Sequence, residues 1–336
     1  MPLRIGVTFG ALLVATFTSA DNAQAPAATP AGPVVIAVNQ RREAATIYDV
    51  ASGRVLGTVE LGIEPHEVTV SPNGRVVAIA GLNEGRLRRN KKLLLLDPAS
   101  RQLRRVDLRL RGPHGVSFIS DSLLLVSAMF DTSVAYVDIP SGRVTRVVGG
   151  IASDPYVLHF ARATGRAYVS SPHTSVITEI DVAAGRKLRV FAVDDSPAGM
   201  GVSPDGSEVW GAVWRQEVGG GMAIIDMATG KVAAKLPGVT QPRRVAFSPN
   251  GNRVFVTDRD HLRVFDRAKR QLIASVFLGE NAGGSGVSCS PDAARCYVAT
   301  SQSGEIVEID INALKVLRRF PNERGADGIA YLNPQR

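Results

Sequence analysis

The chain has 336 residues, 45% of them hydrophobic and 21% charged, with a formal net charge of +8. That is enough apolar sequence for a sizeable core in one or two domains, and too much for a disordered chain. Plentiful glycine and sparse aromatics suit short strands and tight turns, and the two cysteines form neither a haem-attachment motif nor a zinc cluster with histidine.

The N-terminus, MPLRIGVTFGALLVATFTSADNAQA, opens on Arg4, continues with an apolar run over 5–17 and ends at Ala23-Gln24-Ala25. This is the pattern of a Sec signal peptide cleaved after Ala25. The run is too short to span a bilayer comfortably. A Pro/Ala-rich tether (26–33) follows, so the mature protein is expected to be periplasmic or secreted, with no transmembrane segment.

From residue 34 onward the chain repeats. A first motif is YDVASGRV at 48–55, returning as LLDPASRQL, YVDIPSGRV, EIDVAAGRK, IIDMATGKV, VFDRAKRQL and EIDINALKV. A second is a small apolar strand running into Ser-Pro-Asp/Asn-Gly: PHEVTVSPNG (65–74), PHGVSFISD, PYVLHFARATG, PAGMGVSPDG, PRRVAFSPNG, GSGVSCSPDA and ADGIAYLNP (326–334). A third, β-rich run such as RAYVSS (166–171), RVFVTD (253–258) or RCYVAT (295–300) lies between them. Each unit of about 42 residues therefore reads as four antiparallel strands, the pattern of a β-propeller blade. The last copy has no strands after it and the first strands (34–39 and 45–50) have none before them. The predicted fold is all-β: one seven-bladed β-propeller domain over 34–336, its ring closed by the C-terminal strand joining the N-terminal blade.

The RVFVTD and RAYVSS strands, paired with V-x-V/F-SPDG, resemble the YVTN-type propeller repeat, and the chain is similar to YncE-like periplasmic propellers over about residues 34–336. More distantly it resembles lactonase propellers of the phosphogluconolactonase kind, through Pro65-His66-Glu67 and Pro113-His114.

The seven aspartates (Asp49, Asp97, Asp138, Asp181, Asp226, Asp266 and Asp310) are expected to close turns. Each carboxylate would accept backbone N–H groups one or two residues on, and the Gly would supply the left-handed conformation. Cys289 and Cys296 flank a hairpin turn and are expected to pair in an oxidising compartment.

A site is expected on the opposite face from these uniform turns, where loops vary. The residue after each Pro-like position should ring the channel mouth: His66, His114, Tyr156, Ala198, Arg243, Ser285 and Asp327. His159 stands where other blades carry a small residue. Loops on the same face add His173, Trp214, Arg215, Glu217 and Asp258. The reading is a scaffold that binds a small-molecule or protein ligand at this mouth, as a monomer, without metal or cofactor. A lactonase-type hydrolase is the alternative, with His66, Glu67 and His114 as catalytic candidates and Arg243 holding an anion. A third is a haem or metal handler, with His66 and His114 from adjacent blades reaching one metal. Residues 86–111 hold ten Lys/Arg against two Asp. These and the other basic outer strands are read as edge protection, with an anionic partner as the alternative; nucleic acid is disfavoured by the lack of interleaved aromatics.

Overall fold

The computed structural model describes residues 32–83, 90–193, 195–215 and 219–333. The expected leader, most of the tether, residues 86–89 of the basic run and Glu217 lie outside them. The described residues form seven four-stranded antiparallel sheets. Blade 1 contains β1 (Val34–Asn39), β2 (Ala44–Asp49) and β3 (Val55–Glu60), and β28 (Ala326–Leu332) completes it in the order β28-β1-β2-β3. Blades 2 to 7 begin with β4 (Glu64–Val70), β8 (Pro113–Ser120), β12 (Leu158–Ala161), β16 (Pro197–Val202), β20 (Pro242–Phe247) and β24 (Gly284–Cys289). Each of these first strands touches the first strand of the next blade, and β28 touches β4, so they form a closed inner ring. The chain is a seven-bladed β-propeller. Its only described helical pieces are two 3-10 turns, Met129–Asp131 and Pro172–Thr174.

Alternation along the strands explains the packing. β1 is buried at all six positions, and its neighbours supply apolar faces to adjacent blades. Val116, Phe118, Leu158 and Phe160 of the inner strands join such inter-blade clusters. Cys289 and Cys296 face each other across the β24–β25 pair (β25, Arg295–Thr300) and are bonded as a disulfide.

The aspartate turns depart from expectation in two details. The carboxylates accept from N–H groups two or three residues on: Asp49 from Ser52, Asp97 from Ala99 and Ser100, Asp138 from Ser141, Asp310 from Asn312 and Ala313. The left-handed position is not always glycine; Arg101, Arg270 and Leu314 hold it at φ 61°, 52° and 52°. The Gly219–Gly221 run opens the eight-residue strand β18 (Gly219–Asp226), which pairs with β17 (Glu208–Arg215).

The basic outer strands do more than guard edges. Arg104, Arg146, Arg189 and Arg318 each donate to backbone carbonyls of the following blade. The acceptors are Ile139 and Pro140, Ala183, Met227, and Val50 and Ala51, always one or two residues past the repeat aspartate. A turn leaves those carbonyls without ladder partners, and a guanidinium from the neighbouring blade supplies the missing donor. Within the basic segment Arg104 is thus committed to its neighbour, Arg105 donates to Leu61 O, and Arg111 pairs with Asp131. Among the described residues, no helix is long and apolar enough to cross a membrane.

Candidate functional site at the channel mouth

The inner strands start irregularly. Register shifts between Pro113 and Val116, Pro197 and Gly199, Pro242 and Val245, and Gly284 and Val287 mark bulges at the mouth. A bulge frees the first residues from the ladder and re-aims them. Two buried hydroxyls then fix them. Ser127 Oγ accepts from Gly115 N and donates to Tyr156 O of the next blade, at 2.7 and 2.8 Å. Thr257 Oγ1 accepts from Arg244 N and donates to Ser285 O, at 3.0 and 2.7 Å. The Ser/Thr of the V-S/T strand ends therefore sets the backbone of mouth residues, a role its strand-like sequence context hid.

One step inward, alternate blades differ. The residue after each mouth position is Gly115, Gly199, Gly286 and Gly328 in blades 3, 5, 7 and 1, and Glu67, Val157 and Arg244 in blades 2, 4 and 6. At the glycines neighbouring inner strands approach closely, backbone against backbone. A Cβ at Gly199 would lie 1.8 Å from Arg243 O, and one at Gly286 2.4 Å from Asp327 O. The glycines thus admit the backbone of the next blade, and Glu67, Val157 and Arg244 supply the three side chains at this level. Two of those carry opposite charge: Arg244 Nη2 lies 2.5 Å from Glu67 Oε1 and 3.9 Å from Asp327 Oδ1. Because blades 6 and 2 stand on opposite sides, this ion pair crosses the channel beneath the mouth. Burial opposes the Arg244 cation, but Glu67 and then Asp327 raise its affinity for the proton; burial pushes the Glu67 carboxyl up against the pull of Arg244.

Above the pair lies a cavity of about 440 Å³ lined by Gln40, His66, Tyr156, Arg243, Arg244 and Asp327, among others. His66 Nδ1 sits 3.2 Å from Asp327 Oδ2, and the Gln40 amide nitrogen lies 2.8 Å from the former and 2.5 Å from the latter. Ser285 Oγ also donates to Asp327. Burial disfavours the Asp327 carboxylate, but the contacts from His66, Arg244 and Ser285 outweigh it and hold the group far below the usual carboxylate range.

The predicted site residues separate into groups. His66, Tyr156, Arg243 and Asp327 line the cavity. Glu67 is beneath it, in the ion pair. His114 is fully buried, its ring 3.8 Å from that of Tyr156 and 5.1 Å from that of His66. Neither of its ring nitrogens makes a well-aligned hydrogen bond among the described residues, and burial drives its proton affinity well below normal. The His66 and His114 rings are tilted against each other, and His114 stacks on Tyr156 instead. His159 lies lower, along the channel wall with Met200 and Arg244. His173 sits in an exposed 3-10 turn, paired with Asp154 at 2.8 Å, outside the cavity lining. Asp258 is fully buried: its Oδ1 accepts from Thr240 N, Thr240 Oγ1 and Gln241 N, and its Oδ2 from Arg263. It braces the segment entering β20 and so positions Arg243, rather than meeting a ligand. Trp214 and Arg215 end β17 by their backbone, and their side chains lie outside the described residues. Arg244, Gln40 and Gln241 were not singled out from sequence. Arg244 had a usable signal, since it and Glu67 are the only charges at a position that is otherwise Gly or Val.

Burial holds the His159 imidazole down at about 4, against the ordinary 6.5. Between these values the unfolded chain takes up a proton that the folded one refuses, so stability falls as pH drops from about 6.5 toward 4. His159→Gln should flatten the melting-temperature profile between pH 7 and 4.5. An unchanged slope would assign the acid sensitivity elsewhere.

The fold and mouth together define a seven-bladed propeller with a polar cavity closed below by a cross-channel ion pair. No protein-family model matches the chain. It is 24% identical over 164 residues to the WD repeat-containing protein SL1-17 of Schistosoma mansoni, a match covering 48% of this chain and 53% of that protein. The chain thus matches about half the length of this curated relative. Among solved structures it is similar to a protein of unknown function from Desulfotomaculum acetoxidans (TM-score 0.75, 13% identity, 90% of this chain and 99% of that one). It is also similar to Kuenenia stuttgartiensis hydrazine synthase (0.71, 18%, 80% and 90%). A third is the dihydro-heme d1 dehydrogenase NirN in complex with DHE (0.63, 14%, 90% and 75%). At these identities the likeness is one of fold.

Proposed function

We propose that this protein is an exported propeller of the YVTN-repeat, YncE-like kind that acts as a binding scaffold, taking a small or peptidic ligand in its channel mouth. One observation carries the reading. The blade residues that do not repeat, His66, Tyr156, Arg243 and Asp327, meet in one cavity of about 440 Å³, while those that do repeat build turns and inter-blade contacts. A rigid ring that presents a polar, partly enclosed cavity is a natural ligand site. The leader-like N-terminus supports export.

Hydrolysis is the second reading, favoured by the contact between His66 and Asp327 at 3.2 Å beside Arg243. It has fewer candidate residues than the sequence offered, since Glu67 is held by Arg244 and His114 is buried between two rings. Haem handling, suggested by the ligand named for NirN, would rest on His66 alone among the two mouth histidines.

The test is a thermal-shift and calorimetric screen of the purified protein against sugar lactones, small organic acids, peptides and haem, with His66→Ala and Arg243→Gln alongside. Binding in wild type that weakens about tenfold in either variant is the expected result. Product formation from a lactone would favour hydrolysis. Ligands that bind both variants as tightly as wild type would remove the mouth from consideration.

A further inference from the structure

A second cavity, of about 460 Å³, opens beside the mouth between blades 6 and 7 and shares Gln241, Arg243 and Ser301 with it. Its further wall is Arg259, Asn281 and Gln302. No residue lining it is acidic. Arg243 makes no ion pair among the described residues. Arg259 has a single long one, its Nε 3.8 Å from Asp260 Oδ2, and its side chain is 54% exposed. Asp260 is turned to its own loop, where its Oδ1 accepts from Ala282 N at 2.9 Å. The side-chain amides of Gln241, Asn281 and Gln302 likewise have no hydrogen-bond partner among the described residues. Two guanidinium groups and three amides, all with unspent donors, therefore surround one cavity.

The mouth cavity has the opposite character. Its Asp327 carboxylate already accepts from Gln40 and Ser285 and lies against His66, and Arg244 is neutralised by Glu67. An anion placed there would meet a fixed negative charge. Displaced outward, it would meet only cations and amide donors.

We infer that the ligand of the mouth is an elongated organic anion whose carboxylate or phosphate group occupies this second cavity between Arg243 and Arg259, while its neutral polar portion faces Tyr156, His66 and Asp327. The assignment rests on the binding role proposed above. Charge orients the ligand: acceptor oxygens seek the guanidinium forks, and hydroxyl or amide donors seek the Asp327 side. Asp258 belongs to the same device, because its grip on Thr240 and Gln241 sets the strand start that carries Arg243.

The experiment is calorimetric titration of the purified protein with glutarate and gluconate as carboxylates, glucose 6-phosphate and inorganic phosphate as phosphates, and glucose as the neutral control. Wild type, His66→Ala, Arg243→Gln and Arg259→Gln are compared at low and raised salt. The expected result is binding of an organic anion but not glucose, weakened about tenfold by Arg259→Gln and by Arg243→Gln, and weakened by salt. The carboxylate and phosphate arms identify the anionic group. Binding lost in His66→Ala and Arg243→Gln but unchanged in Arg259→Gln would overturn the second cavity and leave the mouth intact. Glucose binding as well as its phosphate would overturn the anion requirement. Inorganic phosphate binding as tightly as the organic anions would overturn the two-cavity ligand. Binding of none of these would overturn this inference, while a peptide or haem hit in the broader screen would still uphold the mouth.

Discussion

Replacing Arg244 with Met should cost about 3–5 kcal/mol of folding stability, because it leaves the Glu67 carboxylate buried without its partner. Arg244 and Glu67 sit 2.5 Å apart, with side chains 14% and 18% exposed. Glu67→Leu should be costly for the complementary reason, though less so, since Asp327 remains 3.9 Å from the guanidinium. The double change Glu67→Leu with Arg244→Met should recover most of the loss, as an apolar pair of similar size removes both desolvation penalties. Denaturant unfolding of the four proteins completes the cycle. A double variant as unstable as the sum of the single changes would show that the two groups are not energetically coupled and that the cross-channel pair is incidental. The same series separates stability from binding: Arg244 lines the mouth, so a double variant that folds but binds differently would report its contact with ligand.

Gly199→Ala should be nearly as damaging, at about 3 kcal/mol, the upper end of overpacking costs. The added Cβ would stand 1.8 Å from the carbonyl oxygen of Arg243 in the next blade, with that residue's carbonyl carbon at 2.7 Å. The obstacle is backbone in a hydrogen-bonded ring, so no rotamer change relieves it; blades 5 and 6 must separate. Gly149→Ala serves as the control, having no atom within 4 Å of its Cβ position and no left-handed φ. The measurement is the difference in urea midpoint between these two variants. Equal midpoints would mean that the inner ring yields more easily than a close-packed interior should. Because Arg243 is at the mouth, Gly199→Ala should also weaken any ligand that Arg243 holds.

The fold was legible because repetition multiplies weak local signals. A single SPDG turn or V-x-V run means little, but seven in step leave one architecture, and the unequal ends of the array announced that β28 would complete blade 1. The aspartates were readable as turns for the same reason. Their exact donors and the left-handed Arg101, Arg270 and Leu314 were not, since local preference alone favours glycine at that position. The inter-blade bonds of the basic outer strands were not legible, because the acceptors of Arg104 and Arg318, Pro140 and Ala51, belong to other blades.

At the site the division is similar. Sequence alone marked one residue at the entry to each inner strand, and His66, Tyr156, Arg243 and Asp327 of that set line one cavity. Their spacing along the chain is fixed by the repeat, and ring closure turns equal spacing into a circle. Only the tertiary structure decided which of these side chains reach the cavity, which are consumed by the protein itself, and what lies beneath. Asp258 is spent on the segment entering β20 and on Arg263, His114 is stacked away, and Glu67 and Arg244 meet across the channel although they stand 177 positions apart in the chain. Those outcomes depend on distances between blades, and burial, charge pairing and hydrogen-bond satisfaction act through space rather than along the chain.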